Sequence, residues 1–298
     1  MGKSVTPGVA RWKGRCFPIV SFLHVPGKMS KPLWLMMGTA FPFEAPSSGV
    51  ATPTAAAAAQ QLLLTAKHTF SPWDYVKDVS QLKIPEEYRK LRFVIGHMYR
   101  PSEEGQAGVW ERVGLRLVSQ HPRLDVAMLA VDHKVYSGAT STTMSSSSSS
   151  TIVFDSPLRL CTTRYPAVSD GLILGYRGVG RLGELDTLDS SLLQRLPPSE
   201  REALLRELQD VEGKQTHSSI AVSILDEKGI CKGTGDAAAC FHGMSGGPLL
   251  TDDGACAGVL YGHHPDARGC LGYTPSADFA EWLAGVVQRV AQKTEEAE

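Results

Sequence analysis

The stretch Phe241-His242-Gly243-Met244-Ser245-Gly246-Gly247-Pro248-Leu249-Leu250 sets one hydroxyl inside a run of glycines, directly ahead of an apolar strand. A serine hydroxyl is a weak nucleophile alone. It becomes useful where a tight turn exposes its oxygen and aims backbone N–H groups at a developing oxyanion. Gly243, Gly246 and Gly247 give the backbone that freedom, and the N–H groups of Gly243 and Ser245 are the expected donors.

Such a turn needs a base and an orienting acid, and two segments upstream supply them. In Leu62-Leu63-Leu64-Thr65-Ala66-Lys67-His68 an apolar strand ends in an imidazole, placed to take a proton and then return it. In His121-Pro122-Arg123-Leu124-Asp125-Val126-Ala127-Met128-Leu129 one carboxylate stands directly before an apolar strand, where it can be held against imidazole Nδ1. Taken singly, His68 reads as a surface or core histidine and Asp125 as a turn residue. The three segments together point to nucleophilic catalysis.

Further out, short β-type runs recur: Phe17–His24, Leu33–Phe43, Gln61–Thr65, Leu91–His97, Val109–Ser119 and Val126–Asp132 in the first half. Ile152–Phe154, Leu158–Cys161, Gly171–Tyr176, Ser218–Leu225, Gly247–Thr251, Cys256–Tyr261 and Gly269–Thr274 follow in the second. Their lengths and their Gly, Pro and Ser punctuation predict antiparallel barrels or sandwiches rather than βαβ units. The expected division is an N-terminal tail over 1–14, a first β-domain over 15–136, a Ser-rich linker over 137–151, a second β-domain over 152–275, and a helix and tail over 276–298. Leucines at 188, 192 and 196, a capping pair at Ser199 and Glu202, and Gly213 predict a helical insert at about 184–213 in the second domain. That insert reads either as cover for the barrel surface or as a docking site for a protein partner. Phe279, Trp282, Leu283, Val286, Val287 and Val290 repeat at helical spacing near the end.

Composition sets the bounds. The 298 residues are 42% hydrophobic and 20% charged, enough to build a core. Thirty basic against 31 acidic residues give a net charge of −1, which argues against a general nucleic-acid binder. The longest uncharged apolar stretch, Leu33–Phe43, is about half the ~20 residues needed to cross a bilayer as a helix, so no transmembrane helix is expected. The six cysteines show no Cys-x-x-Cys pairing, so neither a metal site nor a disulfide framework is indicated. Residues 1–16 do not read as a secretory signal, which favours an intracellular, cytoplasmic location. The acid-free, basic first 43 residues leave a mitochondrial location open.

Thr65-Ala66-Lys67-His68, Asp125-Val126-Ala127-Met128-Leu129 and Gly243-Met244-Ser245-Gly246-Gly247-Pro248 resemble the three catalytic signatures of the chymotrypsin/trypsin-like serine endopeptidases, in that family's order. Gly38-Thr39-Ala40-Phe41, Leu174-Gly175-Tyr176-Arg177-Gly178, Val259-Leu260-Tyr261-Gly262 and Gly272-Tyr273 extend the likeness over about residues 15–293. The resemblance implies an all-β fold of two Greek-key six-stranded β-barrels with a C-terminal helix. Its active site would lie in the cleft between the barrels, with His68, Asp125 and Ser245 catalytic and Gly243 and Ser245 forming the oxyanion hole. No metal or organic cofactor is required, and the partner is a protein or peptide substrate.

The departures from that family carry information too. Thr69 and Phe241 stand where secreted relatives carry cysteines, so the likeness is to disulfide-poor members. Met244 replaces the aspartate that in trypsin-type enzymes pairs with a newly cut N-terminus. For the substrate pocket the resemblance implicates Ala239, His242, Tyr261, Gly262 and Gly272. Ala239 in place of an acid, and glycines at the walls, imply cleavage after small or apolar residues. His242 with His263 or His264 leaves open the reading of an acidic side chain. The alternative to an active endopeptidase is a catalytically impaired binding or scaffold protein on the same fold.

Overall fold

Strands, several of them buried on both faces, close two antiparallel barrels. The computed structural model describes residues 15–25, 27–28, 33–45, 61–75, 84, 86–91, 94–101, 110–131, 154, 156–167, 169–177, 216–234 and 243–296. The first barrel comprises β1 (Phe17–Leu23), β2 (Leu33–Pro42), β3 (Leu62–Thr65), β4 (Val94–Pro101), β5 (Trp110–Gln120) and β6 (Ala127–Val131). The second comprises β7 (Asp170–Arg177), β8 (Thr216–Ile224), β9 (Ile230–Gly233), β10 (Pro248–Leu250), β11 (Cys256–His263) and β12 (Leu271–Pro275). The rings run β1-β2-β3-β6-β5-β4 and β7-β8-β9-β12-β11-β10, the same Greek-key order, closed by the β1–β4 and β7–β10 pairings. A helix, Ser276–Glu295, ends the described chain.

Three buried clusters explain why so many strands read as unbroken apolar runs. In β3, Leu63 points into the first barrel, while Leu62 and Leu64 point out of it into a central cluster. In β6, Leu129 faces inward and Met128 and Ala130 outward in the same way. Leu174, Tyr176, Leu250, Cys256 and Val259 enter the central cluster from the second barrel, and Phe279, Leu283, Val286 and Val287 enter it from the final helix. A strand packed on both faces has no polar side to alternate with. Each such large side chain, fully buried, contributes roughly 1.5–3 kcal/mol of hydrophobic stabilisation.

The strands depart from the sequence reading in three places. Leu158 and Leu160 make isolated parallel bridges to Phe43 and Cys256 instead of forming a barrel strand, so this stretch stitches the barrels together. The exposed Arg159 between them shows that the run lies on a surface rather than inside a sheet. The second barrel instead takes β9, a four-residue strand in which Cys231 alone is buried, so it carries almost no apolar signal. Leu91 ends a short helix, Glu86–Leu91, and β4 starts later than the apolar run suggests. The Ser-rich linker over 137–151 and the helical insert at about 184–213 lie outside the described residues. Among the described residues, no helix is long and apolar enough to cross a membrane.

Candidate active site

Strand pairing brings His68 to Asp125. β3 and β6 run antiparallel, with Thr65 opposite Ala127, so the end of β3 lies beside the start of β6. His68 follows Thr65 on a single turn of 3-10 helix, Lys67–Thr69, and Asp125 precedes Ala127 by two residues. The two side chains meet with His68 Nδ1 at 2.7 Å from Asp125 Oδ2, and the His68 backbone N–H donates to Oδ1 at 2.9 Å. A carboxylate only accepts, so the imidazole carries its proton on Nδ1 and leaves Nε2 free to take one. Both side chains are about 11% exposed, which strengthens the contact relative to a solvated pair.

The turn that carries His121 presents Asp125. His121 is buried; its N–H donates to the Val126 carbonyl at 2.9 Å, and its Nδ1 accepts the N–H groups of Arg123 at 3.2 Å and Leu124 at 2.9 Å. The ring stands edge-on to Trp282 of the final helix, 5.3 Å between centroids. Burial, then the nearby Arg123 and Lys67 charges, hold the His121 pKa below its usual value, in keeping with an Nδ1 that must stay unprotonated.

Ser245 sits on the turn between residues 243 and 247. Gly243 has φ +93° and Gly246 φ +88°, so both occupy the left-handed region that favours glycine. Gly246 N–H donates to Leu260 O at 2.7 Å and Leu260 N–H to Gly247 O at 2.9 Å, tying the turn to β11. The Met244 side chain is fully buried in the core of the second barrel and packs on Gly175, where an added Cβ would come within 3.1 Å of its backbone. The loop is thus anchored by apolar burial where a charged residue would need a partner. The Ser245 hydroxyl reaches the Tyr261 carbonyl at 3.5 Å, and among the described contacts no hydrogen bond joins it to His68. Catalytic hydrogen bonds are often long in unliganded enzymes and tighten when substrate binds.

Of the expected pocket residues, Ala239 and His242 lie outside the described residues. Gly262, with φ +124°, leaves open space beside Ser245: an added Cβ would meet nothing nearer than Ser245 Oγ at 4.0 Å. Gly272 does not leave an opening. The Tyr261 ring fills the volume over it, and a Cβ there would fall 2.1 Å from Tyr261 Cζ. His263 is exposed, and the His264 ring lies 6.3 Å from that of Tyr261.

Two further residues flank the site that the sequence reading did not single out. Tyr75, just after the 3-10 turn Pro72–Asp74, places its ring edge-on to His68 at 5.7 Å. Its hydroxyl pKa is pushed up, first by burial and then by the Asp125 charge. Lys67 Nζ lies 5.8 Å above the Tyr75 ring and 3.3 Å from Asp74, so the dyad is covered on one side by a small, partly exposed cluster. The second residue is Thr39, whose hydroxyl and backbone both bond to the turn that carries Ser245. Neither announces itself in sequence, because a tyrosine in a loop and a threonine in a strand have many bland explanations.

A family model described as Trypsin matches residues 201–283. No curated protein matches the chain. Among solved structures, the active form of the Rv3671c protease from M. tuberculosis is similar at 16% identity over 94% of this chain and 84% of that one, with a TM-score of 0.49. Deg5 is similar at 12% identity over 91% of this chain and 88% of that one, with a TM-score of 0.46. The Trypsin match lies on the barrel that holds Ser245, and the two closed six-stranded barrels give the chain a trypsin-like fold.

Proposed function

We propose that the protein is a serine endopeptidase that hydrolyses peptide bonds through an acyl-enzyme on Ser245. The observation that carries this reading is the 2.7 Å contact between His68 Nδ1 and Asp125 Oδ2, which fixes the tautomer that leaves Nε2 as a base. Ser245 Oγ bonds to the scissile carbonyl carbon while its proton passes to His68 Nε2. The oxyanion is held by the N–H groups of Gly243 and Ser245. The C–N bond then breaks, the amine leaves with the proton from His68, and an ester remains on Ser245. Water attacks that ester by the same route in reverse, releasing the acid and restoring the hydroxyl. The Asp125 carboxylate, held against Nδ1, stabilises the imidazolium.

The preferred residue before the scissile bond is small or apolar. Support comes from the uncharged Ala239 in sequence and from the open space at Gly262 beside Ser245. The competing reading is a binding or scaffold protein on this fold, favoured by the contact of the Ser245 hydroxyl with the Tyr261 carbonyl.

Labelling with a fluorophosphonate probe separates the two. The wild type is expected to label, and Ser245→Ala and His68→Ala are expected not to. A folded wild type that does not label overturns the endopeptidase reading in favour of the scaffold. A peptide library cleaved chiefly after Lys, Arg or acidic residues overturns the specificity.

A further inference from the structure

Thr39 belongs to β2 of the first barrel and is fully buried, yet most of its polar contacts serve the second barrel. Its N–H donates to the Ser245 carbonyl at 2.8 Å. Its hydroxyl donates to the Gly243 carbonyl at 2.7 Å and accepts the Tyr176 N–H at 3.0 Å. A hydroxyl has one donor and two acceptor sites, so both contacts are satisfied together. Its carbonyl accepts the Thr65 hydroxyl at 2.8 Å.

These contacts fall on successive peptide planes. The Gly243 carbonyl belongs to the Gly243–Met244 plane, and the Ser245 carbonyl to the Ser245–Gly246 plane. Between them the Met244–Ser245 plane, which carries the Ser245 N–H, is held inside the second barrel by Gly247 N–H on the Met244 carbonyl at 2.9 Å. Of three consecutive planes around the nucleophile, the outer two are therefore clamped from the opposite barrel by one residue.

The same residue relates the nucleophile to the base. Thr65 stands three residues before His68 on the strand that delivers the imidazole. Gly246 sits directly on the Thr39–Thr65 pair: a Cβ there would lie 2.2 Å from both the Thr39 carbonyl oxygen and Thr65 Oγ1. No side chain fits in that contact, so the turn rests on the pair without slack.

We propose that Thr39 is a positioning residue that holds the oxyanion turn open and sets Ser245 against His68; this rests on the serine-hydrolase reading above. Thr39→Val keeps the shape but withdraws the hydroxyl from the Gly243 carbonyl and the Tyr176 N–H, while Thr39→Ser keeps the hydroxyl.

The test combines turnover of an activated ester, the rate of fluorophosphonate labelling, and amide hydrogen exchange across residues 243–247, each on the full chain. Thr39→Val is expected to lower kcat and labelling rate about 10–100-fold, the scale of a small misplacement of reacting groups, with KM within about twofold. Its turn amides exchange faster, and Thr39→Ser restores activity to within about threefold of wild type. A Thr39→Val variant with wild-type rate and exchange overturns the proposal, as does a Thr39→Ser variant equally impaired. A wild type that neither labels nor turns over ester overturns the hydrolase reading instead. In that case faster exchange in Thr39→Val, absent from Thr39→Ser, sustains the clamp, and unchanged exchange overturns it.

Discussion

His68 and Asp125 are joined at two points, one through the imidazole at 2.7 Å and one through the His68 backbone N–H at 2.9 Å, so a single carboxylate sets both the ring and the main chain that carries it. Asp125→Asn keeps an acceptor oxygen for one contact, but its amide group favours the wrong tautomer. The expected result is a fall in kcat of roughly 10⁴-fold at neutral pH with the fold retained. Steady-state kinetics and circular dichroism check it, and a loss below about tenfold would remove Asp125 from the catalytic set.

The turn ahead of Asp125 is sensitive to acid. His121 accepts two backbone N–H groups through Nδ1 and is faced by Arg123, Lys67 and the Trp282 ring, so its folded-state pKa lies below the usual 6.5. The unfolded chain then binds a proton more readily than the folded one. Stability from this group is complete above about pH 6.5 and is lost as pH falls below it toward the lowered pKa. In urea titrations at about pH 7.5 and 5.5, His121→Asn, whose side-chain oxygen accepts without titrating, is expected to lose less stability on acidification than the wild type. An equal loss in both proteins would place the acid sensitivity elsewhere.

The Met244 side chain adds burial to the hydrogen bonds that anchor the Ser245 turn. Met244→Ala is expected to lose about 2–5 kcal/mol of stability, from the side chain withdrawn and the cavity it leaves. Met244→Asp places a carboxylate in an apolar core and is expected to be at least as damaging. Denaturant unfolding gives the comparison, and an aspartate variant as stable as wild type would show that the turn leaves the core.

The close approach of the Tyr261 ring to Gly272 ties to β12 a residue whose backbone carbonyl meets the Ser245 hydroxyl. Gly272→Ala drives a methyl group into the ring, which has to swing away. On peptide substrates KM is expected to rise several-fold with kcat within about threefold. The reverse pattern would mean that the ring serves the chemical step rather than substrate contact.

Much of this arrangement could be read from sequence wherever burial leaves a mark. Leu62–Thr65 and Ala127–Val131 stand out because barrel and central cores bury both faces, and each run points to the residue at its end, His68 or Asp125. Ser245 is legible through its glycines, since close backbone contact excludes other residues at Gly246 and Gly247. Ile230–Gly233 escaped because a four-residue strand with one buried side chain has no pattern, and Leu158–Leu160 misled because a bridge between barrels is as apolar as a strand. The clamp by Thr39, the cover by Tyr75 and the filling of Gly272 by Tyr261 depend on partners far along the chain, and local sequence carries no trace of such distances.

The central cluster belongs to neither barrel, and four of its large side chains arrive on the helix Ser276–Glu295, which follows every strand. During synthesis the first barrel can close its own interior early, yet the seam between the barrels stays unsealed until that helix has emerged. Assembly order is thereby built into the chain: the seam is completed last, and a product cut short before the helix carries His68, Asp125 and Ser245 but lacks part of the apolar surface on which the two barrels meet.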